Sequence, residues 1–405
     1  MRRSTFLRRG CAMLAAVATC ALVNTHEARG QTKEPIVIGG TLGLTGPFAG
    51  PSSEYKFVYD YWQTQVNAAG GLLGRSVKLL IYNDEGVPTT AQSLYQRLLD
   101  QDKVDLVLAP FTTFVGGAIV PIVMSHKMLL FNGGFVGINL FDAAGGSMFG
   151  TYTHQEPDYT RGLFEMIDKL PASEKPTKVA ILTSQNPFPI IVRDGYKGVG
   201  GALNFAQARH MKIVLNEEYP PSTADFTGLL ERVKQSGADM LLALTTPNDG
   251  LAIVRTTYQV GVKPKIICAC GAEISTLPAF AKLGSAANGI ISTTISSSKD
   301  NYPGYSKLAA MMRSHGYVDI PTYATVAYSI LQVLEQAVRQ SGTLDQAKLR
   351  EYILHHDFET ANGKLHFGPT GVPAYSQLNT QWQGTHNVMI WPPNRATGKV
   401  EIPIP

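Results

Sequence analysis

The stretch IVIGGTLGLTG, residues 36–46, joins a short apolar run to a glycine-rich loop, as expected for a strand that ends in a turn. Residues 52–71, SSEYKFVYDYWQTQVNAAGG, predict a helix with a serine cap and a stop at Gly70. SVKLLIYND, residues 76–84, is the next predicted strand. A strand, a helix and a second strand in this order predict a βαβ unit with a parallel sheet.

The same alternation continues along the chain and then restarts. Further predicted strands and helices extend to residue 134, and a second series begins at residue 178 with KVAILTSQNPFP. In that series, residues 190–206, IIVRDGYKGVGGALNFA, are predicted as one helix. Two βαβ series in 405 residues agree with about 100–200 residues per domain and predict two similar α/β lobes.

A long amphipathic stretch, residues 323–342, has no strand series of its own to cover. We therefore expect this helix to pack back on the first lobe, so that the chain crosses between the lobes more than once. Several crossing segments form a hinge.

The first thirty residues indicate export. Four arginines open the chain, a thirteen-residue apolar stretch follows at residues 11–23, and small residues Ala28 and Gly30 precede Gln31. This order is typical of a secretory signal peptide, and the apolar stretch is shorter than the roughly 18–20 residues of a membrane span. We predict a signal peptide at residues 1–30 and a periplasmic location. Twin-arginine export and a lipid anchor at Cys20 remain alternatives to ordinary export of a free protein.

The remaining chain carries no excess of charge. The signal peptide holds five arginines and one glutamate, so its removal lowers the formal net charge from +4 to 0. Without a basic patch, nucleic acid is not an expected partner.

Two cysteines remain beyond residue 30, Cys268 and Cys270, in a predicted strand. We expect their Cβ atoms to diverge, so that a disulfide would need distorted geometry. No second pair of thiols or imidazoles lies nearby, and no metal or cofactor is expected. Both are interpreted as small buried side chains, with a redox role as the alternative.

Five stretches in order resemble one family. They are IVIGGTLGLTGPFAG (residues 36–50), VNAAGGLLGRSVKLLIYND (66–84), LVLAPFTTF (106–114), TYATVAYSILQVLEQAV (322–338) and FETANGKLHFGPTG (358–371). Together they resemble the type I periplasmic solute-binding proteins of ABC transporters, in the leucine/isoleucine/valine-binding group. The resemblance implies two doubly wound α/β lobes joined by a three-segment hinge. Its lobe bounds would be residues 34–154 with 298–375, and residues 155–297 with 376–405.

The resemblance also implies a ligand site between the lobes, at the carboxyl ends of the strands. Ala109–Thr113 looks like the family turn whose second hydroxyl binds a ligand carboxylate, which assigns that role to Thr113 with support from Thr112. The alternative is that both hydroxyls only cap the following helix. FNGGF, residues 131–135, looks like the second carboxylate-binding turn. There Gly133 and Gly134 would let backbone N–H groups hold the ligand, and Phe135 would replace the usual threonine.

The second lobe and the first loop supply the remaining candidates. Phe188 stands where relatives present a tyrosine, and Thr246 and Pro247 end another predicted strand. Glu273 stands where amino-acid binders hold the ligand's ammonium group; alternatively it only begins the next helix. Pro51 stands near an aromatic position of many relatives. With Phe111, Phe135 and Phe188, the site would suit an aromatic acid or a bulky amino acid.

The sequence favours a solute receptor over two other classes of function. No nucleotide-binding or hydrolase motif supports an enzyme. A sensor subunit acting with a separate signalling protein, or a receptor for short amides or urea, stays open. We expect a monomer that binds an amino acid or an aromatic carboxylate and delivers it to the membrane subunits of an ABC permease.

Overall fold

A computed structural model of the protein describes residues 34–271, 274–295, 302–317 and 320–404. The predicted signal peptide and Glu273 lie outside these residues. No helix in the described ranges has both the length and the apolar character that a membrane span requires.

The described strands form two large sheets and a small hairpin. The strands are β1 Ile36–Leu42, β2 Val77–Asn83, β3 Leu106–Leu108, β4 Leu130–Asn132, β5 Met148–Gly150, β6 Lys178–Ser184, β7 Lys212–Tyr219, β8 Met240–Leu244, β9 Ile266–Ala269, β10 Ile291–Thr294, β11 Phe358–Thr360, β12 Gly363–Leu365, β13 Leu378–Gln383 and β14 His386–Trp391.

The helices cover the faces of these sheets. They are α1 Ala49–Ala68, α2 Pro88–Asp100, α3 Thr113–Ser125, α4 Ile138–Ala144, α5 Arg161–Lys169, α6 Pro187–Asp194, α7 Ala202–Gln207, α8 Thr227–Ser236, α9 Pro247–Val260, α10 Pro278–Ala281, α11 Tyr305–Ser314, α12 Thr322–Ser341 and α13 Gln346–His355.

Within the described residues, the first sheet has five parallel strands in the order β2-β1-β3-β4-β5. β1, β3 and β4 are almost entirely buried because helices lie on both faces, so they read as continuous apolar runs rather than alternating ones. The order reverses between β1 and β3, and such a switch point leaves a crevice at the carboxyl ends of the strands.

The second sheet has seven described strands in the order β14-β13-β10-β9-β8-β6-β7. The strands from β7 to β10 are parallel, whereas β13 and β14 form an antiparallel hairpin at one edge. The sheet has the same kind of switch point, between β6 and β8. Two α/β units of this type confirm the predicted fold class.

Judged from the described strands and helices, the chain passes between the two sheets three times. The passages follow β5, β10 and β12, the last returning the chain to β13. The first and third passages are hydrogen-bonded to each other, because Ser376 N donates to the Thr153 carbonyl at 2.8 Å and Thr153 Oγ1 donates to the Ser376 carbonyl at 2.6 Å. The exact lobe bounds stay a prediction.

Helix α12 packs on the first unit, as predicted. Its buried side chains join those of α1 and the first sheet in one core, where Trp62 on α1 also donates from Nε1 to Glu335 Oε2 on α12 at 2.9 Å. The stretch from residue 322 onward therefore returns to the first sheet.

Two details of the helix predictions are wrong. The helix predicted over residues 190–206 is two helices, α6 and α7, because Gly195, Gly198, Gly200 and Gly201 adopt positive φ values that an α-helix excludes. The predicted serine cap is also absent: α1 begins at Ala49, and no side chain caps its N-terminus.

Cys268 and Cys270 form a disulfide, contrary to the expectation. Residues i and i+2 of a strand point to the same face, so the Cβ atoms do not diverge. The Cα atoms lie 5.2 Å apart, within the range that a disulfide spans. Both residues are fully buried, as predicted.

Candidate ligand-binding site

A cleft lies where loops from the carboxyl ends of both sheets meet; its space, counted together with the open solvent at its mouth, is about 650 Å³. The first sheet contributes Phe48, Phe111, Thr112, Thr113, Phe114, Gly134, Phe135 and Val136. The second sheet contributes Asn186, Pro187, Phe188, Pro189, Thr245, Thr246 and Pro247. Tyr152 and Tyr159, on the first passage between the sheets, and Tyr323 at the start of α12 complete the lining.

The residues that the first sheet contributes form one wall of the cleft, which we call the first wall. The N-terminus of α3 lies at this wall, directly after β3. Thr112 precedes the helix, and neither it nor any other residue caps the helix with a side chain. Thr113 is 5% exposed, and its hydroxyl makes no hydrogen bond to the described part of the chain. The alternative that these two hydroxyls serve as helix caps is therefore wrong.

Thr112 has an unusual backbone conformation, with φ 74° and ψ 138°. A β-branched residue rarely adopts a positive φ, so this backbone is strained. Two hydrogen bonds fix it: Thr112 N donates to the Gly134 carbonyl at 3.0 Å, and the Thr112 carbonyl accepts from Gly116 N at 2.9 Å. The Thr113 hydroxyl and the first N–H groups of α3, which have no partner within a helix, are thereby placed at the cleft.

The FNGGF turn does not offer the free N–H groups that the sequence suggested. Gly134 N and Phe135 N both donate to Asn132 Oδ1, at 3.0 and 3.1 Å. The expectation that the ligand rests on these backbone groups is therefore wrong, because the side chain of Asn132 already accepts from them. Gly133 does not line the cleft; its carbonyl accepts from the Tyr55 hydroxyl at 2.7 Å.

Gly134 is required where it stands. A Cβ at this position would lie 1.9 Å from the carbonyl oxygen of Pro110. The turn after β4 and the end of β3 thus touch through backbone atoms alone. The ring of Phe135 lies against Gly116 of α3, where an added Cβ would come within 2.5 Å of it.

Pro51 lies in the first turn of α1, buried and away from the cleft lining. The aromatic side chain that this loop contributes is instead Phe48, three residues earlier, whose ring packs edge-on against Phe111 at 5.9 Å. The family resemblance pointed to Pro51 as the cleft residue of this loop, which is wrong because helix α1 begins before Pro51, not after it.

The second wall is formed by the starts of α6 and α9. Phe188 lies in the first turn of α6, while Thr246 precedes α9 and Pro247 opens it. Helices α3, α6 and α9 therefore begin at the cleft, as do α1 and α12, whose starts contribute Phe48 and Tyr323. The N-terminus of a helix carries partial positive charge, so this arrangement favours a negatively charged group.

The described lining is aromatic and uncharged. It contains five phenylalanines and three tyrosines, and no Asp, Glu, Lys or Arg is among the described residues of the lining. Several rings pack edge-on, such as Phe111 with Tyr323 at 5.2 Å and Tyr159 with Phe188 at 5.0 Å. Aromatic edges and faces of this kind suit an apolar or aromatic ligand body. The role of Glu273 stays a prediction because the residue lies outside the described ranges.

Tyr152, Tyr159 and Tyr323 were not among the sequence candidates. Tyr152 and Tyr159 lie on the first passage, whereas Tyr323 lies far away in sequence, in the first turn of α12; we call these three residues the floor of the cleft. Their positions after β5 and at the start of α12 were the available signal.

The first passage also carries two buried ionisable groups, His154 and Glu156. Burial lowers the pKa of His154 to about 4, and the nearby backbone of Ser376 opposes this decrease in part. Neither ring nitrogen makes a hydrogen bond of normal geometry. Burial raises the pKa of Glu156 to about 7, against the Ile138 N–H that donates to its Oε2 at 2.7 Å. Neither group lines the cleft.

The loops of the two sheets also touch outside the cleft lining. Asp142 on α4 pairs with Lys197 at 2.6 Å and accepts from the Tyr196 hydroxyl at 3.0 Å. Elsewhere Asn248 Nδ2 donates to the Pro47 carbonyl at 3.3 Å. These exposed contacts add little free energy but show the two walls close together. No group of three or more potential metal ligands is found among the described residues.

The family model for periplasmic binding proteins matches residues 35–382. The chain belongs to the periplasmic binding protein family. Its members act outside the cytoplasm as binding proteins, and the comparisons found receptors rather than enzymes.

The relatives are distant but cover nearly the whole chain. The Leu/Ile/Val-binding protein BraC3 of Rhizobium johnstonii is 26% identical over 82% of this chain and 88% of its own length. A solute-binding protein of an R. palustris ABC transporter, solved with benzoate, superposes with a TM-score of 0.76 at 17% identity, covering 88% of this chain and 95% of that one. LivJ of Streptococcus pneumoniae, solved with isoleucine, gives 0.72 at 18% identity, covering 88% and 100%. Similarity at this level shows the fold.

Proposed function

We propose that this protein is a periplasmic receptor that captures a small carboxylate-bearing ligand in the cleft and delivers it, as a monomer, to the membrane subunits of an ABC importer. The observation that carries the proposal is the Thr113 hydroxyl at the cleft, which makes no hydrogen bond to the described residues and is not among the side-chain oxygens closed off from solvent. A hydroxyl that is open to the cleft and makes no internal hydrogen bond can donate to a ligand acceptor.

The helix N-termini at the cleft favour a ligand with a negative charge. Helices α3, α6 and α9 begin at the cleft, and the described lining offers no cationic side chain. Backbone N–H groups and a hydroxyl can therefore hold an anionic head without a salt bridge. An aromatic cage could also attract a cation, but the positive helix ends oppose one.

The aromatic side chains of the lining indicate which kind of group forms the apolar part of the ligand. Eight aromatic side chains among the described lining residues favour a flat apolar group over a small polar one such as urea. Of the two ligand classes that the sequence suggests, we favour an aromatic carboxylate over an amino acid. The family resemblance to binders of branched-chain amino acids keeps the second class as the alternative, with Glu273 as its ammonium partner.

A thermal-shift and calorimetric series on the mature protein tests this function. Benzoate should raise the melting temperature, whereas benzamide, its uncharged counterpart, should raise it far less. Cyclohexanecarboxylate, which has a saturated ring, tests the need for a flat aromatic ring, and phenylalanine and leucine test the need for an ammonium group. A ligand at a thousandfold excess over Kd stabilises the folded form by about 4 kcal/mol, so a true ligand is readily detected.

The outcomes separate the alternatives. Binding of phenylalanine or leucine, lost in Glu273→Gln while plain carboxylates are spared, would assign the receptor to amino acids. Equal shifts with benzoate and benzamide would contradict an anion site at Thr113. The absence of any shift across carboxylates and amino acids would contradict the proposed ligand class as a whole.

A further inference from the structure

Asn132 is the last residue of β4, is fully buried, and does not line the cleft. Its side-chain amide nevertheless makes three hydrogen bonds to the turn that follows. Oδ1 accepts from Gly134 N at 3.0 Å and from Phe135 N at 3.1 Å, and Nδ2 donates to the Phe135 carbonyl at 2.9 Å. One side chain therefore determines the shape of the turn.

The same turn also holds Thr112, the strained residue at the first wall of the cleft. The carbonyl of Gly134 accepts from Thr112 N at 3.0 Å, and the backbones at Gly134 and Pro110 are in contact. Thr112 has φ 74° and ψ 138°, a region that is used almost only by glycine. Such a conformation persists in a threonine only where neighbouring groups determine it more strongly than the residue's own preference.

We propose that Asn132 is a positioning residue for the anion-binding end of the cleft. Through the Gly134 carbonyl, it holds Thr112 in the strained conformation from which α3 begins, and so directs the Thr113 hydroxyl and the first N–H groups of the helix to the ligand. The inference rests on the proposed function only in taking this cleft as the binding site. Asn132 itself touches no ligand.

A double-mutant cycle on the ligand-free mature protein tests the coupling. Thr112→Gly is made in the wild-type and in the Asn132→Ala background, and the melting temperatures of all four proteins are compared. Glycine adopts a positive φ without strain, so Thr112→Gly relieves strain only while Asn132 imposes it. Its effect on the unfolded chain is the same in both backgrounds and cancels in the cycle.

We expect the change caused by Thr112→Gly to be more favourable in the wild-type background by at least about 2 °C. Asn67→Ala is the matched control, because Asn67 also bridges backbone groups through its amide, at Val77 N (2.7 Å) and Val77 O (2.8 Å), at the opposite end of the same sheet. Its effect should add to that of Thr112→Gly. Equal effects of Thr112→Gly in both backgrounds would overturn the proposal, and Asn132→Ser replaces Asn132→Ala if the alanine variant does not fold.

Benzoate binding to the same proteins provides the functional readout. Asn132→Ala should weaken binding at least about tenfold, Thr112→Gly should restore part of that loss, and Asn67→Ala should leave the affinity unchanged. Full benzoate affinity in Asn132→Ala would overturn the positioning role. If the wild-type protein binds no benzoate, the aromatic-carboxylate function fails, while the melting cycle still decides whether Asn132 controls Thr112.

Discussion

Replacing Thr113 by valine removes one hydroxyl and keeps the branched shape of the side chain. The hydroxyl has no hydrogen bond to the described protein, so its loss breaks no internal bond and should leave the melting temperature of the ligand-free protein nearly unchanged. With a bound carboxylate, the same change removes a hydrogen bond to a charged group, which contributes about 1.5–3 kcal/mol. We therefore expect affinity to fall between about tenfold and a hundredfold.

Isothermal titration with benzoate, or with whichever carboxylate the screen identifies, measures this loss. Thr113→Ala should behave like the valine variant, and Thr113→Ser, which keeps the hydroxyl, should bind within a few-fold of wild type. An unchanged Kd in Thr113→Val would refute the assignment of Thr113 to the anion. A large drop in the melting temperature of the ligand-free variant would refute the reasoning that the hydroxyl has no internal role.

Two further predictions concern stability, and a third concerns the disulfide. Gly134→Ala brings its Cβ within 1.9 Å of a carbonyl oxygen and should cost more than about 3 kcal/mol in urea unfolding, whereas Gly117→Ala, on an open face of α3, should be neutral or stabilising. Burial raises the pKa of Glu156 from 4.5 to about 7, so its contribution to stability is present below pH 4.5 and lost as pH rises through 7. Glu156→Gln should therefore match wild type at pH 4.5 and exceed it by about 3 kcal/mol at pH 8; an equal difference at both pH values would exclude this cause. Alkylation of the denatured protein should label neither Cys268 nor Cys270 until a reductant is added; labelling without reductant would disprove the bond.

Most of the fold could be predicted because its signals are local. Strands β1, β2 and β6 are short apolar runs, and the amphipathic period of α12 places it against a sheet. The division of residues 190–206 into two helices depends on the conformations of several glycines, which a hydrophobic period does not report. The disulfide was missed because the direction of side chains two residues apart on a strand was misjudged.

The candidate site was only partly predictable, for a different reason. The strand end at β3 led to Thr112 and Thr113, and the family resemblance led to Phe188. All three line the cleft, although their contact with a ligand stays a prediction. The tyrosines of the floor depend on how the chain passes between the sheets. The family resemblance assigned the backbone N–H groups of this turn to the ligand, but those of Gly134 and Phe135 donate to the side chain of Asn132 instead. An asparagine before two glycines was the only sign of this arrangement in the sequence.

The pKa values of the two ionisable groups of the first passage are shifted in opposite directions, and this has a consequence for the number of protons that the pair binds. In the unfolded chain, between about pH 4.5 and 6.5, the imidazole of His154 carries a proton and the carboxyl of Glu156 does not. In the folded chain the carboxyl carries it and the imidazole does not. Within this range, these two groups together therefore bind one proton in either state, and folding changes which of them holds it. Their contributions to the pH dependence of stability oppose each other, and substitution of either one would leave the contribution of the other uncompensated.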